Sequence, residues 1–161
     1  MNKPNVLFIL GSGGHTAQMI ELSKELKKKI NYIYIIQKGD TLSKSKIIYP
    51  GKIIYVTRPR EIQESYIVSF FKTTKLFFKA LDIINRNKIT SIITAGPGIA
   101  IPFCYTGKML GKKIIFIESW SRVTKKSISG KLIYPISDLF FVQWKENLIN
   151  YPKAKYCGRL K

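Results

Sequence analysis

A chain of 161 residues, 45% of them hydrophobic, is long enough to bury the core of one domain, and this composition excludes a disordered or fibrous protein. Its 28 Lys and Arg residues against 9 Asp and Glu residues give a net charge of +19. This charge favours anionic partners such as nucleic acid, anionic lipid or a phosphorylated substrate. The alternative interpretation of part of the charge is compositional drift towards Lys, Ile and Asn. Because Arg, the common reader of bases, is scarce beside Lys, and no nucleic-acid motif is visible, the prediction is no nucleic acid partner.

The two cysteines, Cys104 and Cys157, form neither a disulfide framework nor a metal motif. The sequence therefore predicts no metal site, no cofactor, and a reduced, cytoplasmic compartment. No signal peptide is expected, because a strand begins almost at once. The uncharged run 89–107 is long enough for a membrane span, but Gly96-Pro97-Gly98 interrupts it, so a strand, a turn and a helix fit it better.

The first predicted strand, residues 5–10, leads through a glycine-rich turn into a helix over residues 15–29. Five apolar residues in a row suit a parallel strand that is covered on both faces. The glycines allow a close approach of the backbone to a ligand, and a helix start attracts anions. The same glycines also suit a plain tight turn, and their spacing is neither the full dinucleotide fingerprint nor a P-loop. Both interpretations stay open at this point.

The rest of the chain alternates between strands and helices. Further strands are predicted at residues 32–36, 53–56, 89–95, 112–117 and 139–142. Helices are predicted at 64–86, from residue 99 onward and at 127–134, with a short helical turn after Trp144. The polar stretch around Gly39-Asp40 is predicted to be a loop. This alternation predicts an α/β fold, a single Rossmann-like domain over residues 1–161 with helices on both faces of a parallel sheet.

The long helix, residues 64–86, is apolar around most of its circumference. A helix that packs only on a core needs about a third of its circumference apolar. The excess apolar surface, which lies beside lysines, suits a membrane interface and a partner protein equally well. The candidate residues for membrane or partner contact on this helix are Phe70, Phe71, Lys72, Lys75, Phe77, Phe78 and Lys79. Trp144 and Arg159, nearer the C-terminus, are further candidates for the same contact.

Polar and glycine-rich stretches gather where the predicted strands end, which is where parallel sheets bind ligands. They are residues 11–15, 58–64, 96–98, 118–122 and 143–144. A transfer from a phosphate-activated donor to a hydroxyl needs a base near the hydroxyl and positive groups near the phosphates. These strand ends supply candidates for both roles.

Two side chains are candidate bases. His15, the only histidine, lies at a helix start, where the dipole disfavours the imidazolium, so a neutral imidazole is expected at pH 7. The alternative is that His15 only hydrogen-bonds a neighbouring loop. Glu118 follows a strand and suits a base or a ligand of sugar hydroxyls, and the alternative is a pair with Arg122 or another arginine.

Aromatic and basic side chains near the same strand ends have two interpretations each. Trp120 and Trp144 suit stacking on a sugar face or a subunit interface, although simple packing is the more conservative interpretation. Arg58, Arg60 and Arg122 suit a diphosphate through forked hydrogen bonds, or form a solvated basic rim.

An ordered set of motifs spans nearly the whole chain. The set is Gly11-Ser12-Gly13-Gly14-His15-Thr16, residues 58–66, Gly96-Pro97-Gly98, Glu118-Ser119, Arg122-Val123, Ser129-Gly130-Lys131, Asp138, Val142-Gln143-Trp144 and Gly158-Arg159-Leu160. In this order they resemble the acceptor-side subunit of the two-chain lipid-linked N-acetylglucosaminyltransferase of asparagine-linked glycosylation, the fourteenth protein of that pathway. Bacterial capsule and exopolysaccharide proteins belong to the same family.

The resemblance implies the N-terminal, acceptor-binding half of a GT-B glycosyltransferase. A separate donor-domain subunit, like the thirteenth protein of the pathway, would bind the UDP-sugar, which the resemblance implies is UDP-N-acetylglucosamine. The pair would extend a polyprenyl-diphosphate-linked sugar at the cytoplasmic face of an anionic membrane, and this chain alone would be inactive. The implied residues for the acceptor diphosphate and substrate are Gly11, Ser12, Gly13, Gly14, Thr16, Arg58, Arg60, Gly96, Pro97, Gly98, Ser119 and Arg122. The alternative function is a non-catalytic scaffold that only recruits the donor subunit to the membrane.

Two positions depart from the family pattern. Gln18 stands where the family often has Glu, and Glu64 stands where it commonly has Gln. A family base at the first of these positions would be missing here. The N-terminal membrane anchor of eukaryotic members is not expected either, so peripheral attachment would depend on the helix 64–86, the basic surface or the partner.

Overall fold

The computed structural model describes residues 3–57 and 66–160. The strands are β1 (Asn5–Ile9), β2 (Asn31–Gln37), β3 (Gly51–Val56), β4 (Ser91–Thr94), β5 (Lys113–Ile117), β6 (Leu139–Val142) and β7 (Lys155–Tyr156). The helices are α1 (Gly14–Leu26), α2 (Thr41–Ser45), α3 (Tyr66–Arg86), α4 (Ala100–Met109) and α5 (Ile128–Ile133). Short 3-10 turns occupy Lys27–Lys29, Tyr134–Ile136 and Lys145–Ile149.

These strands form one parallel sheet in the order β3-β2-β1-β4-β5-β6-β7. The chain runs outward from β1 to β3 and then crosses back to place β4 on the other side of β1. The connections that leave β1 and β4 therefore diverge, and a crevice opens at their carboxyl ends, where Ile9 pairs with Thr94. The predicted α/β fold with a Rossmann-like parallel sheet is confirmed.

Side chains of β1 alternate between two cores, as a strand covered on both faces requires. Leu7 and Ile9 lie in the core that includes Phe103 of α4, whereas Phe8 lies in the core that includes Met19 of α1. All five side chains are completely buried. Burial of one such side chain contributes about 1.5–3 kcal/mol, so the central strand is anchored from both sides.

The structure departs from the sequence prediction in two segments. The stretch predicted as a loop after β2 contains α2, because Asp40 accepts a hydrogen bond from the backbone N–H of Ser43 at 2.9 Å and so caps the helix. The two-residue strand β7 was not predicted, because both of its residues are exposed and give no apolar signal. The other elements lie within a few residues of their predicted bounds.

Helix α3 presents apolar side chains on both of its faces. Leu76, Ala80 and Ile84 are buried on the inner face. On the outer face Phe71 is 61% exposed and Phe78 is 69% exposed. The predicted excess of apolar surface on this helix is therefore present. In residues 3–57 and 66–160, no helix is long and apolar enough to cross a bilayer.

The sheet face opposite to α4 carries an apolar groove of about 340 Å³. Its lining residues come from α1, from the strands β4 to β6 and from the C-terminal tail. They are Leu22, Leu26, Ile93, Ile115, Ile117, Leu139, Phe141, Val142, Gln143, Cys157, Gly158, Arg159 and Leu160. Because the groove is open, Ile115, Leu139 and Phe141 are only partly buried although they lie on sheet strands.

Candidate functional site

The glycine-rich loop after β1 and the loop after β4 approach each other closely at the crevice. A Cβ atom on Gly11 would lie 2.4 Å from Cβ of Pro97. Gly96 has a φ of +90°, and a Cβ atom there would lie 2.7 Å from the buried ring of Phe116. Gly11 therefore allows the two loops to meet, and Gly96 allows the loop after β4 to pack against Phe116, whereas Gly98, which is exposed, has open space around it.

We expect Gly96→Ala to lower the free energy of unfolding by about 3 kcal/mol, because it combines a left-handed backbone with a steric clash. The matched control is Gly98→Ala, which meets nothing within 4 Å and should change stability by less than about 0.5 kcal/mol. Urea unfolding monitored by circular dichroism measures both changes. Equal stability of the two variants would contradict this account of the crevice.

His15 links the two loops. Its ring nitrogen Nδ1 lies 2.8 Å from the carbonyl oxygen of Ala95, at the end of β4. Because a carbonyl only accepts, Nδ1 carries the proton of the neutral ring, and Nε2 retains a lone pair. Burial is the largest effect on the pKa of His15 and lowers it, and the charge of Arg122 also lowers it, whereas the Ala95 bond and the charge of Glu118 raise it. His15 is therefore a neutral imidazole at pH 7.

The N-terminus of α1 is open. Gly13 is the N-cap residue with a φ of +70°, and no side chain of the described residues caps the helix. Ser12, Gly13 and Gly14 are exposed. The first N–H groups of a helix lack partners within the helix, and the dipole adds positive potential there. This loop can therefore hold an anion beside His15.

The side chain of Thr16, which was predicted to bind substrate, is buried within the protein. Its side chain is 1% exposed, and its hydroxyl donates to the carbonyl of Gly11. The same hydroxyl lies 2.6 Å from the hydroxyl of Ser43, which in turn donates to Asp40. The hydroxyl is therefore engaged within the protein, and Thr16 ties α1 to α2. This is a correction to the sequence prediction for its side chain.

Glu118 is 1% exposed, and its carboxylate accepts four hydrogen bonds from residues that the structure describes. Oε1 accepts from the backbone N–H of Ser119 at 2.8 Å. Oε2 accepts from the N–H of Ser127 at 3.2 Å, from the hydroxyl of Ser127 at 3.1 Å and from the hydroxyl of Tyr151 at 2.7 Å. Both carboxylate oxygens are thus engaged, and within residues 3–57 and 66–160 no arginine pairs with Glu118. The geometry instead makes Glu118 the anchor of the segment that leads into α5.

The segment after β5 forms a tight turn at the edge of the crevice. The hydroxyl of Ser119 lies 3.0 Å from that of Ser121, and the N–H of Arg122 donates to the carbonyl of Ser119. The Arg122 side chain is exposed and near enough to influence His15 electrostatically. Arg58 and Arg60 lie outside the described residues.

Two tryptophans and an arginine lie at the same edge. The indole N–H of Trp144 donates to the carbonyl of Trp120 at 2.6 Å. The guanidinium of Arg159 lies 4.6 Å from the centre of the Trp144 ring, within cation–π distance. A Cβ atom on Gly14 would lie 3.6 Å from the indole nitrogen of Trp120. Trp144 and Arg159 are thus in contact with each other, and Trp120 borders the α1 loop.

The candidates on α3 divide between the two faces. Phe71 and Phe78 are exposed, as is Lys75, whereas Phe77 is half-buried. Lys79 donates to the carbonyl of Tyr55 at 2.8 Å. Lys72 is half-buried, and the side chain of Phe70 lies outside the described part of the chain.

Sequence reasoning missed the roles of Gln18 and Gln143. Both are buried, at 0% and 3% exposure, and they hydrogen-bond to each other. A signal was present for Gln18: on a helix it shares a face with His15 and Leu22, so it faces the protein rather than solvent. Tyr151, the hydroxyl partner of Glu118, gave no comparable signal.

Comparison with known proteins identifies the family. Residues 6–160 match the family described as "Oligosaccharide biosynthesis protein Alg14 like". Three relatives are each called UDP-N-acetylglucosamine transferase subunit ALG14. The Homo sapiens protein is 32% identical over 97% of this chain and 82% of its own length. The Schizosaccharomyces pombe protein is 33% identical over 96% of this chain and 82% of its own length. The Candida albicans protein is 36% identical over 94% of this chain and 76% of its own length.

Solved structures agree with the fold. MurG from Acinetobacter baumannii superposes with a TM-score of 0.78 at 14% identity, over 98% of this chain and 46% of that one. UDP-N-acetylglucosamine 2-epimerase from Rickettsia bellii superposes with a TM-score of 0.72 at 14% identity, over 98% of this chain and 45% of that one. The chain thus spans about half the length of either structure, and it shares the Rossmann-like fold found in GT-B proteins. From its sequence match over residues 6–160 and these relatives, the chain belongs to the Alg14 family of oligosaccharide biosynthesis proteins.

Proposed function

We propose that the chain is the acceptor-binding and membrane-recruiting subunit of a two-subunit glycosyltransferase. The enzyme transfers a sugar, N-acetylglucosamine, from a UDP-sugar to a polyprenyl-diphosphate-linked sugar. The relatives' name, a UDP-N-acetylglucosamine transferase subunit, supports the donor and the existence of a partner. The observation that carries the proposal is the pairing of a neutral His15 with an open helix N-terminus in one crevice.

In this mechanism, the N–H groups at the start of α1 and the exposed guanidinium of Arg122 bind the acceptor diphosphate. Arg58 and Arg60 are proposed to add further positive charge. Nε2 of His15 accepts the proton of the acceptor hydroxyl as its oxygen forms a bond to the anomeric carbon of the donor sugar. The bond from that carbon to the diphosphate breaks, and UDP leaves with the electron pair. The Ala95 carbonyl accepts the Nδ1 proton and so fixes the tautomer with its lone pair on Nε2, while burial of the ring disfavours the imidazolium.

The UDP-sugar is assigned to a donor-domain subunit, and the apolar groove is the proposed docking surface for it. The groove exposes Ile115 and Phe141 on the sheet, and the tail residue Leu160 forms part of its wall. An apolar surface of this kind on a sheet face is best covered by a partner. The groove also continues to Arg159, so a docked partner would reach the edge of the crevice.

Reconstitution tests the proposed function. The purified chain, mixed with UDP-N-acetylglucosamine and a polyprenyl-diphosphate-linked N-acetylglucosamine in detergent, is expected to give no disaccharide product. Addition of the proposed donor-domain chain from the same genome, which is expected to be inactive alone, should restore transfer, measured by chromatography of radiolabelled product. Robust transfer by this chain alone would contradict the two-subunit proposal.

The outer face of α3 is the proposed membrane contact. Phe71 and Phe78 occupy one side of the helix, and the exposed Lys75 lies between them in sequence. Aromatic side chains insert at the lipid boundary, and each nearby basic residue adds about 1 kcal/mol of attraction to an anionic surface. This arrangement supports a peripheral attachment to a membrane, which the proposal assigns to its cytoplasmic face.

We expect Phe78→Ser to lower binding to phosphatidylglycerol-containing vesicles about tenfold, because it removes one inserted aromatic side chain. Ile149→Ser is the matched control, since Ile149 is 86% exposed but lies on the 3-10 turn after β6. Vesicle sedimentation measures both. Equal loss in the two variants, or no loss in either, would exclude α3 as the contact.

A further inference from the structure

Two buried glutamines join the wall of the apolar groove to the residue beside His15. The backbone N–H of Leu160 donates to Oε1 of Gln143 at 3.0 Å. Nε2 of Gln143 donates to Oε1 of Gln18 at 2.5 Å and to the carbonyl of Glu118 at 2.9 Å. Nε2 of Gln18 then donates to the carbonyl of Gly14 at 3.1 Å. The chain of hydrogen bonds is continuous from the C-terminal tail to the first turn of α1.

The direction of this chain is fixed at its ends. Leu160 and Trp120 offer backbone N–H groups, which only donate, and Trp120 donates to Oε1 of Gln18 at 3.0 Å. Gly14 and Glu118 offer backbone carbonyls, which only accept. Each amide therefore has a single orientation that satisfies its neighbours. A change at one end consequently alters the partners available to both glutamines.

The three connected segments are the ones that the reaction needs. Gly14 directly precedes His15, and Trp120 lies in the turn that carries Arg122. Leu160 lines the groove and follows Arg159, which covers Trp144. Both glutamines are buried, so the bonds are shielded from water and an unmatched donor or acceptor there is costly.

We propose that Gln18 and Gln143 are positioning residues that set His15 and the 118–122 turn according to how the C-terminal tail is held. The proposal rests on the proposed function in one respect, namely that the donor subunit docks on the groove and fixes the tail. A docked partner would then align the acceptor site through the two amides. In the free chain, movement of the tail would loosen the same site.

Substitutions at Leu160 separate the relay from the docking surface. Leu160→Pro removes the N–H that bonds Gln143, because proline has no backbone donor. Leu160→Ala keeps this N–H and removes only the apolar side chain from the groove. Gln143→Glu keeps the oxygen that accepts from Leu160 but removes the donor to Gln18 and Glu118. Gln37→Glu, on a half-buried glutamine at the end of β2, is the control for the change from amide to acid.

The first readouts use the full chain alone and need no transferase activity. The loss of one relay bond in Leu160→Pro and of two in Gln143→Glu should raise hydrogen exchange of the Trp120 N–H about fivefold or more, and shift the NMR titration midpoint of His15. Leu160→Ala and Gln37→Glu should leave both unchanged. The proposal is overturned if Leu160→Pro and Leu160→Ala give the same Trp120 exchange and the same His15 midpoint.

The second readouts use the reconstituted pair. Leu160→Pro should lower kcat about fivefold relative to Leu160→Ala, with an unchanged KM for the UDP-sugar. Leu160→Ala should weaken the affinity between the subunits. If Leu160→Ala leaves that affinity unchanged, the groove is not the docking surface and the partner does not hold the tail. This result would refute that part of the proposed function. The relay itself is decided by the hydrogen-exchange data on the chain alone.

Discussion

His15→Ala is expected to lower kcat of the reconstituted pair by about 10²–10⁴-fold, the range that a general base contributes. The KM for the acceptor should change little, because the diphosphate is held by the α1 N–H groups and Arg122. His15→Gln should lose as much activity, although its amide N–H can still donate to the Ala95 carbonyl. Steady-state kinetics at saturating UDP-sugar, with the free energy of unfolding measured alongside, distinguishes lost chemistry from lost structure.

The role of His15 as the base also predicts the direction in which the transfer rate changes with pH. The base works only when Nε2 is unprotonated, and burial lowers the pKa of His15 below its usual 6.5. Transfer by the unaltered pair should therefore be constant above about pH 6.5 and fall as the pH drops through the lowered pKa. In His15→Gln this acidic limb should disappear. Unchanged transfer in either His15 variant would favour the alternative function, a scaffold that only recruits the donor subunit.

Most of the fold is predictable from the sequence, because apolar runs and helical periodicity act locally. The run that becomes β1 is buried on both faces, as its five apolar residues indicate. The segment that becomes α2 lacks such a pattern, since its formation depends on the Asp40 cap and on a buried contact between the hydroxyls of Ser43 and Thr16. That contact joins residues 27 apart in sequence and gives no local signal.

The site is less predictable, because its geometry depends on which way neighbouring side chains point. His15 and Thr16 are adjacent, yet the first reaches Ala95 at the crevice and the second reaches Ser43 on the other side of α1. The contact of His15 with Ala95 spans 80 residues and exists because β1 and β4 are neighbours in the sheet. The sequence can place both residues at strand ends, but the pairing requires the sheet order.

Glu118 shows how strand alternation could have refined the prediction. Ile114 and Phe116 of β5 face the core beneath α4 and α5, and Glu118 continues the same alternation. It therefore points under α5, where Ser127 and Tyr151 supply donors, rather than into the crevice. A residue at a strand end is thus a candidate ligand only if its face of the sheet is open.

Glu118→Ala is consequently expected to lower the free energy of unfolding by about 4 kcal/mol, measured by urea unfolding. The change leaves the buried donors of Ser119 and Tyr151 and the half-buried donors of Ser127 without this acceptor, and each buried group of this kind costs about 1–3 kcal/mol. Glu118→Gln should cost about 2 kcal/mol, because one oxygen remains while the new amide N–H groups face donors. Tyr151→Phe, which removes one donor together with its bond, is the control and should cost about 1 kcal/mol.

Activity separates this structural role from catalysis. Where Glu118→Gln is still folded, at low temperature, its kcat in the reconstituted pair should stay within about tenfold of the unaltered enzyme, far above the value for His15→Ala. The acidic limb of its pH profile should also persist, since that limb belongs to His15. A fully stable Glu118→Gln with a kcat reduced more than about 10²-fold would instead identify the carboxylate as the base.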